Sequence, residues 1–312
     1  AYNDTSNLCG LLLGVFIHER NGIGKLFSSR LLVYGGPLLM GNAEEQNHCL
    51  DALLFKLVEL TKGKAIFIQF RNFFSQDELL PVYEKHGFTL INRLNYIVNI
   101  PGKEEALNNI SRSRRRQIDR ALKNGAEIIE PEDIGQVWDF YKILYTLYRY
   151  KIRKPLPDWS FFESFYKLTS GAQNNIVNPG EVIKPSPAPG DLLGIIRLIK
   201  YNDRIIGGIL APVFEDRCIY EWYVCGLDRE YKDQHPSVLA TWSAIQYAIE
   251  NNIRSFDFMG VGKPDQEYGV RDFKARFGGE LVNYGRLIRV NNKSLYQISE
   301  LGYNILAFFR KI

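Results

Sequence analysis

The sequence predicts a protein of the α/β class, of the mixed α+β kind, that is built from two similar halves. Three observations support this prediction. The chain has 312 residues, whereas one domain commonly holds about 100 to 200 residues. Both halves alternate between continuous apolar runs, typical of buried strands, and apolar residues at helical spacing. The order of these elements in the first half is repeated in the second.

The first half contains two strands, a long helix, a buried strand, a short helix and a closing strand. The first two strands are joined by the turn "NGIG" at 21–24, whose glycines tolerate positive φ. The long helix is predicted from Ala43 to Leu60, where leucines recur at helical spacing, and Lys62-Gly63 ends it. The strands are predicted over residues 8–18, 25–34, 64–70 and 94–100, and the short helix lies within 79–88.

The second half repeats this order of strands, helix, strand and closing strand. Ala65 precedes Phe88 in the first half by nearly the same distance as Ser255 precedes Phe277 in the second. This matching order and spacing predicts a duplicated fold, although two unrelated α/β domains could agree in this way by chance. Strands are predicted over 192–200, 204–214, 217–225, 254–258 and 281–290, with a helix over 237–251.

We therefore expect a first domain over residues 1–108, a basic linker helix over 109–125 and a second domain over 126–312 with the active site. At 100° per residue, the linker places four cations on one face and apolar side chains on the other. Such charge runs are usually solvated, but only Asp119 offsets these cations nearby, so binding of an anionic ligand is the second interpretation. The cations are Arg112, Arg116, Arg120 and Lys123, and the apolar residues are Ile110, Ile118, Ala121 and Leu122.

The composition of the chain limits the functional classes to which the protein could belong. The net charge of +4 does not by itself imply nucleic-acid binding. The four cysteines and four histidines show no spacing typical of a metal site, and scattered thiols favour a cytoplasmic protein. No apolar run reaches the ~18 residues that would span a bilayer, and no leader sequence is recognisable. Since the chain begins without Met, we expect the native N-terminus to be missing. Residues 171–190 are rich in Pro and Gly, which predicts a long exposed loop.

Two segments resemble known acyltransferases. "VYEKHGFTL" (82–90) is similar to the end of the GNAT acyltransferase fold, where a short helix leads through Gly-Phe into the closing strands. "ATWSAIQYAIENNIRSFDFMGVGKPDQEYGVRDFKARFGG" (240–279) resembles the Fem family, the aminoacyl-tRNA-dependent transferases that extend peptidoglycan cross-bridges, and equally the broader FemAB-like group. The matching parts are Phe258 to Gly260, Asp265 to Val270 and Phe273 to Gly279, and the basic stretch falls where the family has a basic helix.

This resemblance implies two tandem GNAT-like domains, each a mixed, mostly antiparallel sheet flanked by helices. It also implies transfer of an aminoacyl or other acyl group to an amine of a peptidoglycan or cell-envelope precursor. Aminoacyl-tRNA would be the donor, with no separate cofactor and no metal.

Two departures from the family patterns leave alternatives open. "CGLDREYKDQHPSVLA" (225–240) lacks the glycines with which GNAT proteins bind the CoA pyrophosphate at a helix N-terminus. The coiled-coil arm of some Fem members has no counterpart, because no sustained heptads occur. One alternative is an acyl-CoA-dependent N-acyltransferase that acts on an envelope sugar or peptide. The other is a non-catalytic protein that binds RNA or an anionic polymer.

Lys274 is the residue to which the resemblance assigns stabilisation of the oxyanion that forms when an amine attacks an ester or thioester carbonyl. Phe273 and Phe277 are expected to bury its stem, while the ammonium points into a cleft. Glu221 or Asp257 could accept the proton of the amine. In each case a structural interpretation remains: a surface lysine, or a buried carboxylate that satisfies backbone donors.

Further candidates surround these three residues in the sequence. Tyr268 could protonate the leaving group, or could simply pack. Arg271 and Arg276 could bind phosphate or carboxylate, or pair with nearby acids. Tyr223 lies on the same face of "YEWYVC" as Glu221 and is expected to bind substrate, as are Arg112, Arg116 and Arg120 of the basic helix.

The segment "LYQISELGYNILAFFRKI" (295–312) is amphipathic, with Leu295, Ile298, Leu301, Ile305 and Phe308 on one stripe. It is expected to pack on the second domain. The alternative is peripheral contact with a membrane, helped by Arg310 and Lys311. The expected location is therefore cytoplasmic, with the inner face of the cell membrane as the alternative.

Overall fold

A computed structural model describes residues 1–2, 7–18, 25, 27–153, 155–170 and 193–309, the last eight by their backbone only. The strands are β1 (Gly10–Leu11), β2 (Val15–Ile17), β3 (Arg30–Gly35), β4 (Leu38–Leu39), β5 (Phe67–Asn72), β6 (Thr89–Ile91), β7 (Asn95–Asn99), β8 (Glu127–Ile129), β9 (Gly194–Tyr201), β10 (Arg204–Phe214), β11 (Cys218–Tyr220), β12 (Tyr223–Gly226), β13 (Ser255–Asp257), β14 (Glu280–Val282) and β15 (Arg286–Val290).

The α-helices are α1 (Ala43–Thr61), α2 (Leu80–Lys85), α3 (Lys103–Asn109), α4 (Arg112–Lys123), α5 (Ile134–Leu147), α6 (Trp159–Thr169), α7 (Pro236–Glu250), α8 (Gly269–Ala275) and α9 (Lys293–Phe309). The chain forms two compact units. The first unit comprises Ala1–Leu94, Lys263–Asp265 and Asn283–Ile312. The second comprises Asn95–Gly262 and Gln266–Val282.

The first unit is built on a five-stranded sheet of order β2-β3-β5-β15-β6. Only β3 and β5 run parallel in it. Helix α1 begins at a capping box, in which the side chains of Asn42 and Glu45 each accept a backbone N–H of the other residue. Leu50 and Leu54 of α1 are fully buried in a core that includes Phe70 of β5. The helix is therefore fixed at its start by capping and along its length by apolar burial.

The second unit is built on an eight-stranded sheet of order β14-β7-β13-β11-β10-β9-β8, with β12 also paired to β10. Its strands are antiparallel except for the pair β11 and β13. Helix α7 packs on this sheet with Leu239 and Ile245 fully buried. Helices α5 and α6 enclose a second apolar cluster around Phe140 and Phe162. The predicted α+β class, with mixed and mostly antiparallel sheets, is confirmed.

The observed division of the chain differs from the predicted domain bounds. Strand β7, placed in the first domain by the sequence, pairs with β13 and β14 of the second unit. The single strand predicted over 281–290 is two strands, because the chain turns at Gly285 with φ of +65°. Only β14 remains in the second unit, whereas β15 pairs with β5 and β6 in the first. The basic helix α4 belongs to the second unit and contacts α7.

Two further strands predicted as continuous are interrupted. The run 8–18 forms the short strands β1 and β2, and the run 217–225 forms β11 and β12 with a break at Glu221 and Trp222. The predicted "NGIG" turn, the loop over 171–190, and Arg310 and Lys311 lie outside the described residues. Helix α9 belongs to the first unit instead of packing as part of a second domain. Within the part of the chain that the structure describes, no helix is long and apolar enough to span a membrane.

Candidate functional site

Lys274 lies in α8 and is buried, with an exposed fraction of 8%. Its ammonium forms an ion pair with Glu221 Oε1 at 2.7 Å. It also donates to the carbonyls of Phe258 at 2.7 Å and Gly260 at 3.4 Å. The three donors of the ammonium therefore have three acceptors, so the group does not point into an open cleft as the sequence suggested. The longest of these bonds, to Gly260, is the one most easily exchanged for another acceptor.

The aromatic surroundings of Lys274 also differ from the expectation. Its ammonium lies over the ring of Phe258, 5.2 Å from the centroid, at the end of β13. Phe273 and Phe277 are one and three positions away on the chain and point to another partner, the guanidinium of Arg114. Successive residues of a helix are about 100° apart, which separates the side chain of Lys274 from that of Phe273.

Glu221 sits in the break between β11 and β12, with 5% of its surface exposed. One carboxylate oxygen pairs with Lys274, and the other accepts the hydroxyl of Thr241 of α7 at 3.4 Å. Burial raises the pKa of Glu221 above its usual value, while Lys274 opposes this shift. The strand break gives the side chain room to reach α7 and α8, so an irregularity of the sheet forms the ion pair.

Asp257 organises the turn that follows β13. Its carboxylate accepts hydrogen bonds from Asn95 Nδ2 at 2.7 Å and from the backbone of Met259. Asn95 Oδ1 in turn accepts the N–H of Gly260 at 2.7 Å. Burial raises the pKa of Asp257 above its usual value. These bonds hold Met259 at φ of +59°, a left-handed conformation that is costly without glycine, and they orient the carbonyls that contact Lys274.

A tyrosine that the sequence interpretation missed lies beside this pair. Tyr148 begins a π-helical turn, Tyr148–Ile152, directly after α5. Burial and the nearby Cys225, Glu221 and Tyr268 raise the pKa of Tyr148 to about 12. Such π turns are frequent at functional sites, but a single sequence shows no signal for one.

The two other tyrosines of the site differ in exposure. Tyr268 precedes α8, is 40% exposed and lies against Gly262. Tyr223 instead packs in an aromatic cluster with Tyr148, Phe161 and Phe162. The break at Glu221 and Trp222 explains why Tyr223 and Glu221 contact different groups in spite of their shared strand phase. Tyr148 is thus close enough to Tyr268 and Glu221 for both to influence its pKa.

The arginines near Lys274 divide into exposed and buried groups. Arg271 donates to the carbonyl of Val261 at 3.3 Å, and Arg276 is exposed. Arg114 of α4 was missed and is the best buried, with an exposed fraction of 2%. Its guanidinium lies 4.3 Å and 4.5 Å from the ring centroids of Phe273 and Phe277. Burial, and the like charge of Arg276, lower the pKa of Arg114 to about 10, as expected for a cation removed from water.

Arg114 connects α4 to the helix that contains Lys274. It donates to the carbonyl of Phe273 at 2.7 Å, and the N–H of Ser111 donates to the carbonyl of Arg276 at 3.0 Å. The sequence did contain a signal, because Arg114, Ile118 and Ala121 recur at i, i+4 and i+7 on the apolar side of α4. Arg114 therefore holds the backbone of α8 and, through it, the position of Lys274.

We expect Arg114→Lys to lower both the melting temperature and the transfer rate, because lysine keeps the charge but loses the planar stacking and the fixed donor. Arg116→Lys, on the exposed face of the same helix, is the matched control and should change neither. Thermal unfolding and single-turnover transfer measure the two effects. Equal behaviour of the two variants would contradict the positioning role.

The predicted basic face of α4 is exposed. Arg112, Arg116, Arg120 and Lys123 are all on the surface, and Arg120 forms an exposed ion pair with Asp233 at 2.9 Å. Ile118 and Ala121 are buried as predicted, but Leu122 is 43% exposed. The helix is thus amphipathic, with a cationic outer surface and an inner surface that includes Arg114.

The N-terminus of α7 is closed by a carboxylate of the protein itself. Asp228 accepts the N–H of Ser237 at 3.1 Å and also its hydroxyl. Pro236, at the first position of the helix, has no N–H to offer. Helix N-termini bind anions through these free N–H groups. Asp228 therefore already accepts the N–H that Ser237 would otherwise offer to an anion at this helix start.

Among the described residues, no group of three or more His, Cys, Asp or Glu side chains could hold a metal ion. The described site contains cations, carboxylates and phenols, which are groups that can transfer protons and stabilise charge.

A family model described as an acetyltransferase (GNAT) domain matches residues 183–275. The aminoacyltransferase FemA of Staphylococcus epidermidis is 29% identical over 82 residues, which is 25% of this chain and 20% of that protein. The chain therefore aligns with only a fifth of the length of this curated relative.

Solved structures extend the likeness to nearly the whole chain. A crystal structure of FemX shows 18% identity and a TM-score of 0.66, and the match covers 96% of this chain and 89% of that one. This chain has the GNAT fold. The C-terminal domain of a lysylphosphatidylglycerol synthetase from Agrobacterium fabrum has a TM-score of 0.55 at 13% identity, covering 98% and 87% of the two chains. At these identities the structural matches show the fold alone.

These matches confirm the resemblance and the tandem GNAT-like architecture. The matched domain is described as an acetyltransferase domain, and the curated relative as an aminoacyltransferase, so the proteins that this chain resembles are transferases.

Proposed function

We propose that the protein transfers an aminoacyl group from aminoacyl-tRNA to an amine of a peptidoglycan or cell-envelope precursor. The observation on which the proposal rests is the buried ion pair of Lys274 and Glu221 beside the Phe258–Gly260 turn. Attack of an amine on an ester carbonyl places negative charge on the carbonyl oxygen. A fixed cation in a site of low dielectric constant stabilises that charge more than water does.

Lys274 is proposed to stabilise this oxyanion by exchanging its weakest bond, to the carbonyl of Gly260 at 3.4 Å, for the substrate oxygen. Glu221 and the carbonyl of Phe258 would keep the ammonium in place during the exchange. Glu221 would thus position Lys274, and because it is the carboxylate in direct contact with that ammonium, it is proposed as the base in preference to Asp257. Asp257, which holds the turn through Asn95 and Met259, is proposed to act as a positioning residue.

Departure of the tRNA hydroxyl requires a proton at its oxygen. Tyr268 is proposed to supply it, because this phenol is partly exposed at the start of α8. Tyr148, which is more deeply buried and has a raised pKa, would stay neutral and able to donate a hydrogen bond at neutral pH. Arg271, Arg276 and Tyr223 remain proposed substrate contacts around these groups.

The donor is proposed to be aminoacyl-tRNA and not acyl-CoA because Asp228 closes the N-terminus of α7. A CoA pyrophosphate there would meet a fixed carboxylate in place of free N–H groups. The exposed cations of α4 are instead suited to aminoacyl-tRNA, since an RNA backbone is recognised mainly through its phosphates. The protein would act at the cytoplasmic side of the cell membrane, where the precursor and charged tRNA meet.

A donor comparison tests the proposal. Purified protein is mixed with radiolabelled aminoacyl-tRNA or acetyl-CoA, together with a peptidoglycan precursor or vesicles of phosphatidylglycerol as acceptor. We expect label to move from the tRNA to the precursor and acetyl-CoA to stay unconsumed and unbound. Consumption of acetyl-CoA would favour the N-acyltransferase alternative. Transfer of label to the vesicles alone would support aminoacyl-tRNA as the donor but would make phosphatidylglycerol, and not the peptidoglycan precursor, the acceptor.

We expect Arg116→Glu to weaken tRNA binding about tenfold and to reduce the salt dependence of the binding constant, because a phosphate contact is replaced by repulsion. The rate of transfer from saturating aminoacyl-tRNA should change little, since Arg116 lies on the exposed face of α4. Filter binding between 50 and 200 mM salt, roughly the range over which such contacts weaken, measures the effect. Arg217→Glu, an exposed arginine of the same unit, is the control. Unchanged tRNA affinity would remove α4 from the proposed interface.

A further inference from the structure

Three arginines lie near one another in the first unit, at one end of its sheet. Arg71 of β5 and Arg286 of β15 are directly opposite partners in the antiparallel register. Their shared row continues to Tyr34 of β3 and Ile91 of β6. Arg93 follows β6 by two residues and contributes to the electrostatic environment of Arg286. Like charges directly opposite each other destabilise a sheet, so this arrangement needs an explanation.

The row lies on the sheet face opposite the apolar core. Leu287 and Phe70, the chain neighbours of Arg286 and Arg71, point into the core beneath α1. Side chains alternate across a strand, which places both arginines on the other face. That end of the sheet is the carboxyl end of the parallel strands β3 and β5, and ligands of open α/β sheets commonly bind outside such ends.

Contacts within the unit fix one of these arginines but do not neutralise the others. Arg71 donates to Tyr34 Oη at 3.2 Å and to Gln69 Oε1 at 3.3 Å, and its guanidinium lies 5.2 Å from the Tyr34 ring centroid. Among the described residues, the guanidinium of Arg286 has no hydrogen bond and no ion pair. Burial, Arg71 and Arg93 lower the pKa of Arg286 to about 10, and no carboxylate is among the groups that act on it.

We infer that Arg71, Arg93 and Arg286 form a binding site for a phosphate group in the first unit. Guanidinium groups bind phosphate oxygens bidentately, and two of them on adjacent strands can hold one group from two sides. Phosphate is favoured over carboxylate by charge. Arg71 and Arg93 both act on Arg286, so three positive charges lie close together, whereas a carboxylate has one negative charge and a phosphate monoester about 1.5 to 2 at pH 7. The inference concerns the first unit alone and does not depend on the proposed transfer.

Inorganic pyrophosphate, inorganic phosphate and acetate at equal ionic strength test the site in the full chain. Calorimetric titration and thermal unfolding are compared for wild type, Arg286→Met and Arg93→Gln. Arg30→Met, at the other end of the same sheet face, is the control. We expect wild type and the control to bind pyrophosphate more tightly than acetate. The two site variants should bind pyrophosphate at least tenfold more weakly.

Stability without anion gives a second, independent readout. Removing Arg286 relieves the repulsion from Arg71 and Arg93, so Arg286→Met should unfold at the same temperature as wild type or a higher one. Pyrophosphate should then raise the melting temperature of wild type but not of the variant. Equal protection by acetate, equal affinity of wild type and Arg286→Met, or loss of stability in Arg286→Met without anion would each overturn the inference.

Discussion

Replacing Lys274 by Met is expected to lower single-turnover aminoacyl transfer by about 10² to 10³, the usual effect of removing one oxyanion donor. Methionine keeps most of the side-chain volume against Phe258 but removes the charge that meets Glu221. The rate constant with saturating donor should fall, while the affinity for aminoacyl-tRNA should change little. Rapid-quench measurement of label transfer, together with filter binding of charged tRNA, separates the two quantities.

Two further variants test whether the loss of transfer is specific to the ammonium group of Lys274. Lys274→Arg keeps a cation but replaces a compact ammonium by a larger planar group, and it should restore only a small part of the rate. Lys263→Met, close in sequence but outside α8, should leave transfer unchanged. A Lys274→Met protein that folds, binds tRNA and transfers at the wild-type rate would show that the oxyanion is stabilised elsewhere.

The sequence predicted most of the fold because local periodicity and turn residues determine most of its elements. The α1 helix, the β9–β10 pair and α7 lie close to their predicted positions. The pairing of β7 with β13 and β14, and of β15 with β5 and β6, was missed. Those pairings join segments far apart in sequence, and nothing in the alternation of apolar residues identifies the partner of a strand.

The contacts between side chains in the candidate site were also hard to predict, because they depend on local irregularities of the backbone. Lys274 and Glu221 were both candidates, but their direct ion pair depends on the break between β11 and β12, which has no sequence signature. Tyr148 was missed for a similar reason, because its position depends on a π-helical turn. Arg114 could have been found, since helical spacing places it on the apolar side of α4. The many cations of α4 predicted its exposed face as the binding surface instead.

Replacing Glu221 by Ala is expected to destabilise the second unit by about 3 to 5 kcal/mol, the usual cost of removing one partner of a buried ion pair. Lys274 would keep its bonds to Phe258 and Gly260 but lose its counter-charge in a site with 11% side-chain exposure. Urea unfolding monitored by tryptophan fluorescence measures the difference. Glu215→Ala, which removes an exposed partner of Arg217, should cost less than about 1 kcal/mol.

The double variant Glu221→Met/Lys274→Met separates stability from function. Apolar replacement of both members of a buried pair is often neutral or stabilising, because neither charge then needs to be desolvated. We expect it to recover most of the stability lost in Glu221→Ala, while transfer stays as low as in Lys274→Met. A thermodynamic cycle with the two single Met variants gives the coupling energy of the pair. A stable double variant that regains transfer would show that the pair serves the fold and not the reaction. If the pair is catalytic, the double variant must be stable and still fail to transfer the aminoacyl group.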